Sequence, residues 1–146
     1  MRSLIQITLF VGLITQPVFA CKLWAVCVKS GHTFPTISET EKTIIQNELT
    51  SFYHQSETML DGWALLGYKY SNSDSIVPIQ RSEFPATADS TLYWNSVATL
   101  INEESTFIGM GHLRVASSGS NSIPNPHPWM FYANGLSYSL IHNGTV

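Results

Sequence analysis

The feature that most constrains this chain is a short apolar segment at its N-terminus, which ends directly before Cys21. Arg2 precedes it, residues 4–15 are mostly apolar, and the small Ala20 stands last. A basic start, a short apolar core and a small residue at the cut are typical of a secretory signal peptide. We therefore expect residues 1–20 of the 146 to be removed on export to the periplasm or the outside, which leaves a domain of 126 residues.

Other interpretations of this segment stay open. It could instead form a buried N-terminal strand or helix. Its apolar run is shorter than the ~20 residues needed to cross a bilayer and is closed by Pro17, so we expect no membrane span in the mature chain. Cysteine is also the first residue of a mature lipoprotein. Phe19 beside the cut is bulky for that processing, which makes lipidation the minor alternative.

The composition indicates one ordinary globular domain. Hydrophobic residues make up 44% of the chain, charged residues 12%, and the formal net charge is −3. Neither sign of charge forms a run, so the sequence gives no electrostatic reason to expect nucleic acid or anionic lipid as a partner. The five histidines lack ligand spacing with acidic or thiol partners, and we therefore expect no metal and no cofactor.

The two cysteines, Cys21 and Cys27, are the ends of a segment rich in strand-forming residues. In a strand, six residues at ~3.3 Å each separate their Cα atoms by about 20 Å, whereas a disulfide requires less than about 7 Å. We expect both thiols to be reduced, and Cys27 to behave as a small buried hydrophobe.

Apolar spacing predicts an α+β layer fold with mostly antiparallel strands. Ser38 and Glu41 form a predicted capping box at the start of the first helix. Helices are expected at residues 38–57, with Ile44, Ile45, Leu49 and Phe52 as the apolar face, and at 90–102, with Leu92, Val97, Leu100 and Ile101. Strands are expected at residues 21–28, 61–70, 76–80, 106–116 and 135–142.

Cleavage before Cys21 would place a thiol and a free α-amino group on one residue. The α-amino group has an ordinary pKa of about 7.7–8.0, so the same residue can supply a nucleophile and its base. Further along, Arg114 offers a planar fork suited to a carboxylate, followed by the hydroxyls of Ser117 and Ser118. The pair Asn143-Gly144 offers an amide and an unhindered N–H, the donors that an oxyanion hole requires.

Five motifs together resemble the class II glutamine amidotransferase domain of the Ntn-hydrolase group, most closely its stand-alone bacterial type. The resemblance covers essentially all of residues 21–146 and implies an Ntn-hydrolase-like αββα sandwich, possessing mostly antiparallel strands. The motifs, in order, are Cys21-Lys22-Leu23-Trp24-Ala25-Val26, Asp61-Gly62-Trp63-Ala64, His112-Leu113-Arg114-Val115-Ala116-Ser117, Asn125-Pro126-His127-Pro128 and His142-Asn143-Gly144.

The resemblance implies a role for each matched position. Cys21 would attack a side-chain amide carbonyl, with its α-amino group moving the proton. Asn143 and the Gly144 N–H would stabilise the oxyanion. The remaining matched residues imply a substrate pocket: Arg114, helped by Ser117 and Ser118, would hold the substrate α-carboxylate, and His127 would support the site.

Two departures from the family pattern concern the substrate pocket. The family continues its arginine strand into Trp-Ala-Thr-His, where this chain has Val115-Ala116-Ser117-Ser118. The acidic residue that binds the substrate α-amino group in the family lies well beyond the Asn-Gly turn, and this sequence stops two residues after Gly144. The expectation is a C-terminally incomplete member: either a piece of a longer protein or a decayed paralogue that requires a partner.

The sequence therefore predicts an exported cysteine amidohydrolase that releases ammonia from glutamine or a similar small-molecule amide. Two alternatives stay open. The same Cys21 chemistry could act on another C–N amide, or the chain could be a catalytically inactive secreted module.

Overall fold

The computed structural model describes residues 20–70, 76–116 and 125–143 of the chain. These ranges contain two helices and six strands, with a short 3-10 turn before and after the first helix. The elements are β1 Lys22–Cys27, α1 Glu39–Gln55, β2 Trp63–Lys69, β3 Ile76–Ser82, α2 Ser90–Asn102, β4 Thr106–Leu113, β5 Trp129–Ala133 and β6 Leu136–Leu140.

Four of the strands form one antiparallel sheet in the order β1-β4-β2-β3. The inner strand β4 pairs with β1 on one side and with β2 on the other, and β2 in turn pairs with the edge strand β3. The predicted α+β class with antiparallel strands is confirmed. This order places the start of β1, the start of β2 and the end of β4 at one end of the sheet.

Both helices pack on one face of this sheet. The capping box of α1 forms as predicted, because the Ser38 N–H donates to Glu41 Oε2 at 2.9 Å and the Glu41 N–H donates to Ser38 Oγ at 3.3 Å. The hydroxyl of Tyr93 on α2 donates to the Leu49 carbonyl of α1 at 2.8 Å, and its ring meets buried Trp63 of β2 edge to face. The helices and the sheet therefore share one aromatic core.

The strands β5 and β6 form a hairpin against the opposite face of the sheet. Its turn is Asn134-Gly135, with φ of 52° and 73°, the left-handed pair that a two-residue hairpin turn favours. Tyr68 of β2 donates to Ser139 Oγ of β6 at 2.7 Å. The described residues are thus stacked as a helical layer, a four-stranded sheet and a two-stranded layer.

Several details differ from the sequence predictions. Cys27 is exposed, not buried, because its side chain lies on the open surface of β1. Ile44 and Leu92 also point away from the core, at 56% and 37% exposed. The strand predicted for residues 106–116 ends at Leu113, the last one covers 136–140 instead of 135–142, and β5 was not predicted.

Within the described ranges, no helix combines the length and the apolar character needed to cross a membrane.

Candidate active site

The Cys21 thiol lies at the end of the sheet, against the backbone that leaves β4. Its Sγ accepts a hydrogen bond from the Val115 N–H at 3.4 Å and lies 3.5 Å from the Val115 carbonyl oxygen. Cys21 directly precedes β1, whose first pair is Lys22 with Leu113. Antiparallel pairing therefore sets Cys21 opposite Arg114, so the predicted nucleophile and the predicted carboxylate-binding residue lie side by side.

The Asp61-Gly62 pair ties the same stretch of backbone to the start of β2. The Asp61 N–H donates to the Arg114 carbonyl at 3.2 Å, and the Arg114 N–H donates to the Gly62 carbonyl at 2.9 Å. One residue further on, the Ala116 N–H donates to Asp61 Oδ2 at 2.7 Å. These contacts fix the backbone on both sides of the Cys21 sulfur.

Gly62 is required by the close approach of two other segments. Its φ is 112°, and a Cβ there would overlap the Ser82 carbonyl oxygen and lie 2.7 Å from Cγ of Pro126. The segment 125–128 therefore lies directly on the backbone of Gly62, which an alanine would not permit.

Gly62→Ala should lower the free energy of unfolding by roughly 2–5 kcal/mol, because it adds both backbone strain and overlap. Gly31→Ala is the matched control, since Gly31 also has a positive φ, of 84°, but nothing within 4 Å of its added Cβ. We expect the control to cost only about 1–2 kcal/mol. Denaturant unfolding of both variants measures the difference, and equal losses would show that the close approach of Ser82 and Pro126 to Gly62 is unimportant.

Arg114 is only 6% exposed, whereas an isolated arginine usually lies in solvent. A second arginine, Arg81 of β3, is on the same side of the sheet, since it pairs with Ala64, which in turn pairs with His112. Arg81 donates to the Pro128 carbonyl, and burial lowers its pKa. Two cations thus flank the segment 125–128 and make this end of the sheet favourable for an anion.

His112 and His127 are buried and neutral. The rings of His112 and His127 stack with centroids 3.7 Å apart. Burial, followed by His127 and Arg114, lowers the pKa of His112 to about 3. Burial, followed by His142, Arg114 and Arg81, lowers the pKa of His127 to about 4. Neither ring carries a charge near neutral pH.

The predicted site residues are thus partly brought together. Cys21, Arg114 and His127 converge at one end of the sheet. Asn143 is exposed and directly follows His142, whose N–H donates to His127 Nδ1 at 3.2 Å. Ser117, Ser118 and Gly144 lie outside the described residues. In the part of the chain that is described, no group of three His, Cys, Asp or Glu side chains is placed to hold a metal ion.

Sequence reasoning assigned no role to Asp61, Arg81 or His112, although all three contribute contacts here. Asp61 and His112 belong to motifs of the resemblance, which was the available signal. Nothing in the local sequence distinguishes Arg81 from a surface arginine, because its burial depends on the distant segment 125–128.

Comparison with known proteins does not bear on the function of this site. No protein-family model matches the chain, and no solved structure matches it. The chain is similar to an uncharacterized protein of Methanocaldococcus jannaschii, with 28% identity over 131 residues. That similarity covers 86% of this chain and 30% of the archaeal protein, so the chain spans less than a third of that relative's length.

Proposed function

We propose that this chain is the precursor of an exported Ntn-type cysteine amidohydrolase. Removal of residues 1–20 would free the α-amino group of Cys21. The substrate would be the side-chain amide of glutamine or of a similar γ-glutamyl compound. The observation that carries the proposal is the Cys21 sulfur, 3.4 Å from the Val115 backbone nitrogen, beside the buried Arg114. We propose that the complete fold is an αββα sandwich, because the three stacked layers are compatible with part of one.

The reaction would proceed in two steps. The α-amino group of Cys21 accepts the thiol proton while the sulfur attacks the amide carbonyl, which forms a tetrahedral oxyanion. Asn143, with the Gly144 N–H, would donate hydrogen bonds to that oxyanion. The same amino group then protonates the leaving nitrogen, ammonia departs, and water hydrolyses the thioester to give the acid and restore the thiol.

The two positive charges near His127 support a substrate that carries a carboxylate. Arg114 and Arg81 both lie close enough to His127 to lower its pKa. A guanidinium that is buried in this way can hold a carboxylate in a fixed orientation through two parallel hydrogen bonds. The hydroxyls of Ser117 and Ser118 are proposed to help Arg114 in binding that group.

The test is intact-mass labelling of the exported protein with 6-diazo-5-oxo-L-norleucine, a glutamine analogue that alkylates such nucleophiles. A single adduct on an unblocked N-terminal Cys21 is the expected result. If folded, correctly cleaved protein gives no adduct, then the glutamine pocket is absent, and an amidase for another C–N amide or an inactive secreted module replaces the proposal. A diacylglyceryl group on Cys21, or an uncleaved chain, would contradict the proposed base.

Arg114→Ala should reduce kcat/KM for glutamine by a factor of about 10²–10³, because the substrate carboxylate loses a charged partner. Arg114→Lys should recover only part of the loss, since lysine cannot form the two parallel bonds. Butyramide, an amide without the α-carboxylate, is the control substrate, and its slow turnover should be equal in all three proteins. A similar loss for both substrates would contradict the assigned role.

A further inference from the structure

Three histidines spaced fifteen residues apart connect β4, the segment 125–128 and the end of β6. The His127 N–H donates to His112 Nδ1 at 3.3 Å, and the His142 N–H donates to His127 Nδ1 at 3.2 Å. The rings of His112 and His127 are nearly parallel, with an interplanar angle of 17°. We refer to His112, His127 and His142 as the histidine ladder.

The ladder defines the protonation of both buried rings. Each Nδ1 accepts a backbone hydrogen bond, so the single proton of each neutral imidazole must be on Nε2. His112 is fully buried and His127 is 7% exposed. With Nδ1 occupied and Nε2 already protonated, neither neutral ring can accept a proton from a substrate, which argues against a general-base role for either residue.

The last hydrogen bond of the ladder lies beyond the end of the regular strand pairing. The last pair of the hairpin is Trp129 with Leu140, two residues before His142. Beyond it, residues 141–143 have irregular backbone, and the hydrogen bond to His127 attaches His142 to the sheet side of the site. Asn143 is the next residue along the chain.

His127 is itself held from three directions. Its neighbour Pro126 lies on Gly62, its ring stacks on His112, and the carbonyl of Pro128 accepts a hydrogen bond from Arg81. The three anchors belong to β4, β3 and the start of β2, which are parts of the same sheet. Because His127 is fixed to the sheet in this way, the residue that it hydrogen-bonds is also held at a fixed position relative to the sheet.

We propose that His127 is a positioning residue whose Nδ1, by accepting the His142 N–H, holds Asn143 where it can donate to the oxyanion. This inference rests on the proposed amidohydrolase function. It gives His127 a specific task, which acts through Asn143 and requires no contact with the substrate.

The test compares His127→Asn with His127→Leu. The Oδ1 of asparagine can reach the position of Nδ1 and accept the same hydrogen bond, whereas leucine has a similar size and no acceptor. We expect His127→Leu to lower kcat for glutamine by about 10–100-fold with KM changed less than about threefold, because oxyanion donors act in the transition state. His127→Asn should recover most of kcat.

A double-mutant cycle with Asn143→Ala separates positioning from a general structural effect. If His127 acts through Asn143, adding His127→Leu to Asn143→Ala should change kcat by less than about threefold. The inference would be overturned if the losses in kcat of the two single variants multiply in the double variant, or if His127→Leu changes only KM.

A measurement without substrate keeps this inference separate from the proposed function. Amide hydrogen exchange at His142 should be slow in the wild type and in His127→Asn but fast in His127→Leu. If the wild type neither hydrolyses glutamine nor reacts with its diazo analogue, the proposed function fails, and the exchange rates still decide whether His127 holds His142. Equal exchange at His142 in all three proteins would overturn the positioning role.

Discussion

Cys21→Ala should reduce glutamine hydrolysis by a factor on the order of 10⁴ or more, because the variant has no nucleophile for the first step. Cys21→Ser should also be strongly impaired, since a hydroxyl is far less readily ionised than a thiol. Stability should change little in either variant, as the Cys21 side chain is only partly buried. Ammonia release and thermal unfolding measure the two effects.

The full-length chain with its Ala20–Cys21 bond intact tests whether the α-amino group is the base. It retains the thiol but has no free α-amino group, so it should be nearly as inactive as Cys21→Ala. Its identity is verified by mass before the assay. Full activity in the uncleaved chain would show that another group is the base, and activity in Cys21→Ala would eliminate Cys21 as the nucleophile.

The second large effect is a loss of folding stability at acid pH. His112 and His127 have pKa values of about 3 and about 4 in the folded chain, against about 6.5 when unfolded. Between these values the unfolded chain binds more protons, so the free energy of unfolding rises with pH. The free energy of unfolding is therefore highest above about pH 6.5 and decreases with falling pH, down to about pH 4 for His127 and about pH 3 for His112. The loss between pH 7 and pH 5 should be on the order of 4 kcal/mol, a large fraction of the stability of a typical domain.

Denaturant unfolding at a series of pH values measures this dependence. His127→Asn removes one titrating ring while retaining its acceptor, and should reduce the slope between pH 7 and pH 5 by about half. His54→Asn is the control, because that ring lies on the exposed side of α1 beside Glu57. If His127→Asn keeps the wild-type slope, then the ladder is not the source of the acid sensitivity.

The helices were predictable because local chemistry determines their ends. The capping box of Ser38 formed as expected, and α2 covers the predicted residues 90–102. The buried faces of the two helices were less predictable. Ile44 and Leu92 match the helical spacing of their apolar neighbours, yet both are exposed.

The hairpin depends on a turn signal at Asn134-Gly135 that the strand prediction for residues 135–142 does not use. The sequence has two Asn-Gly pairs, and only Asn134-Gly135 lies between two runs of strand-forming residues. That context is the ordinary sign of a two-residue turn, and it identifies β5 as well as β6. The strand predicted for residues 135–142 begins at the turn glycine, so the predicted pattern contains only one of the two hairpin strands.

The site was predictable as a set of motifs but not as an arrangement. Residue types pointed to Cys21 and Arg114, and the sheet order brings them together. The burial of Arg114 and the contacts of Asp61 depend on segments more than fifty residues apart in the chain. No periodicity within a short window contains that information.

The central strand also restricts how related chains can vary in length. Along β4, Gly109 and Gly111 leave room for rings and aliphatic groups on the helical side. On the other side, Met110 faces the hairpin and His112 faces the segment 125–128. Inserting or deleting one residue would exchange the two sides, so that His112 would enter the apolar core and the stack with His127 would be lost. Homologues should therefore gain or lose residues outside β4, and a single-residue deletion within it should remove folding and activity together.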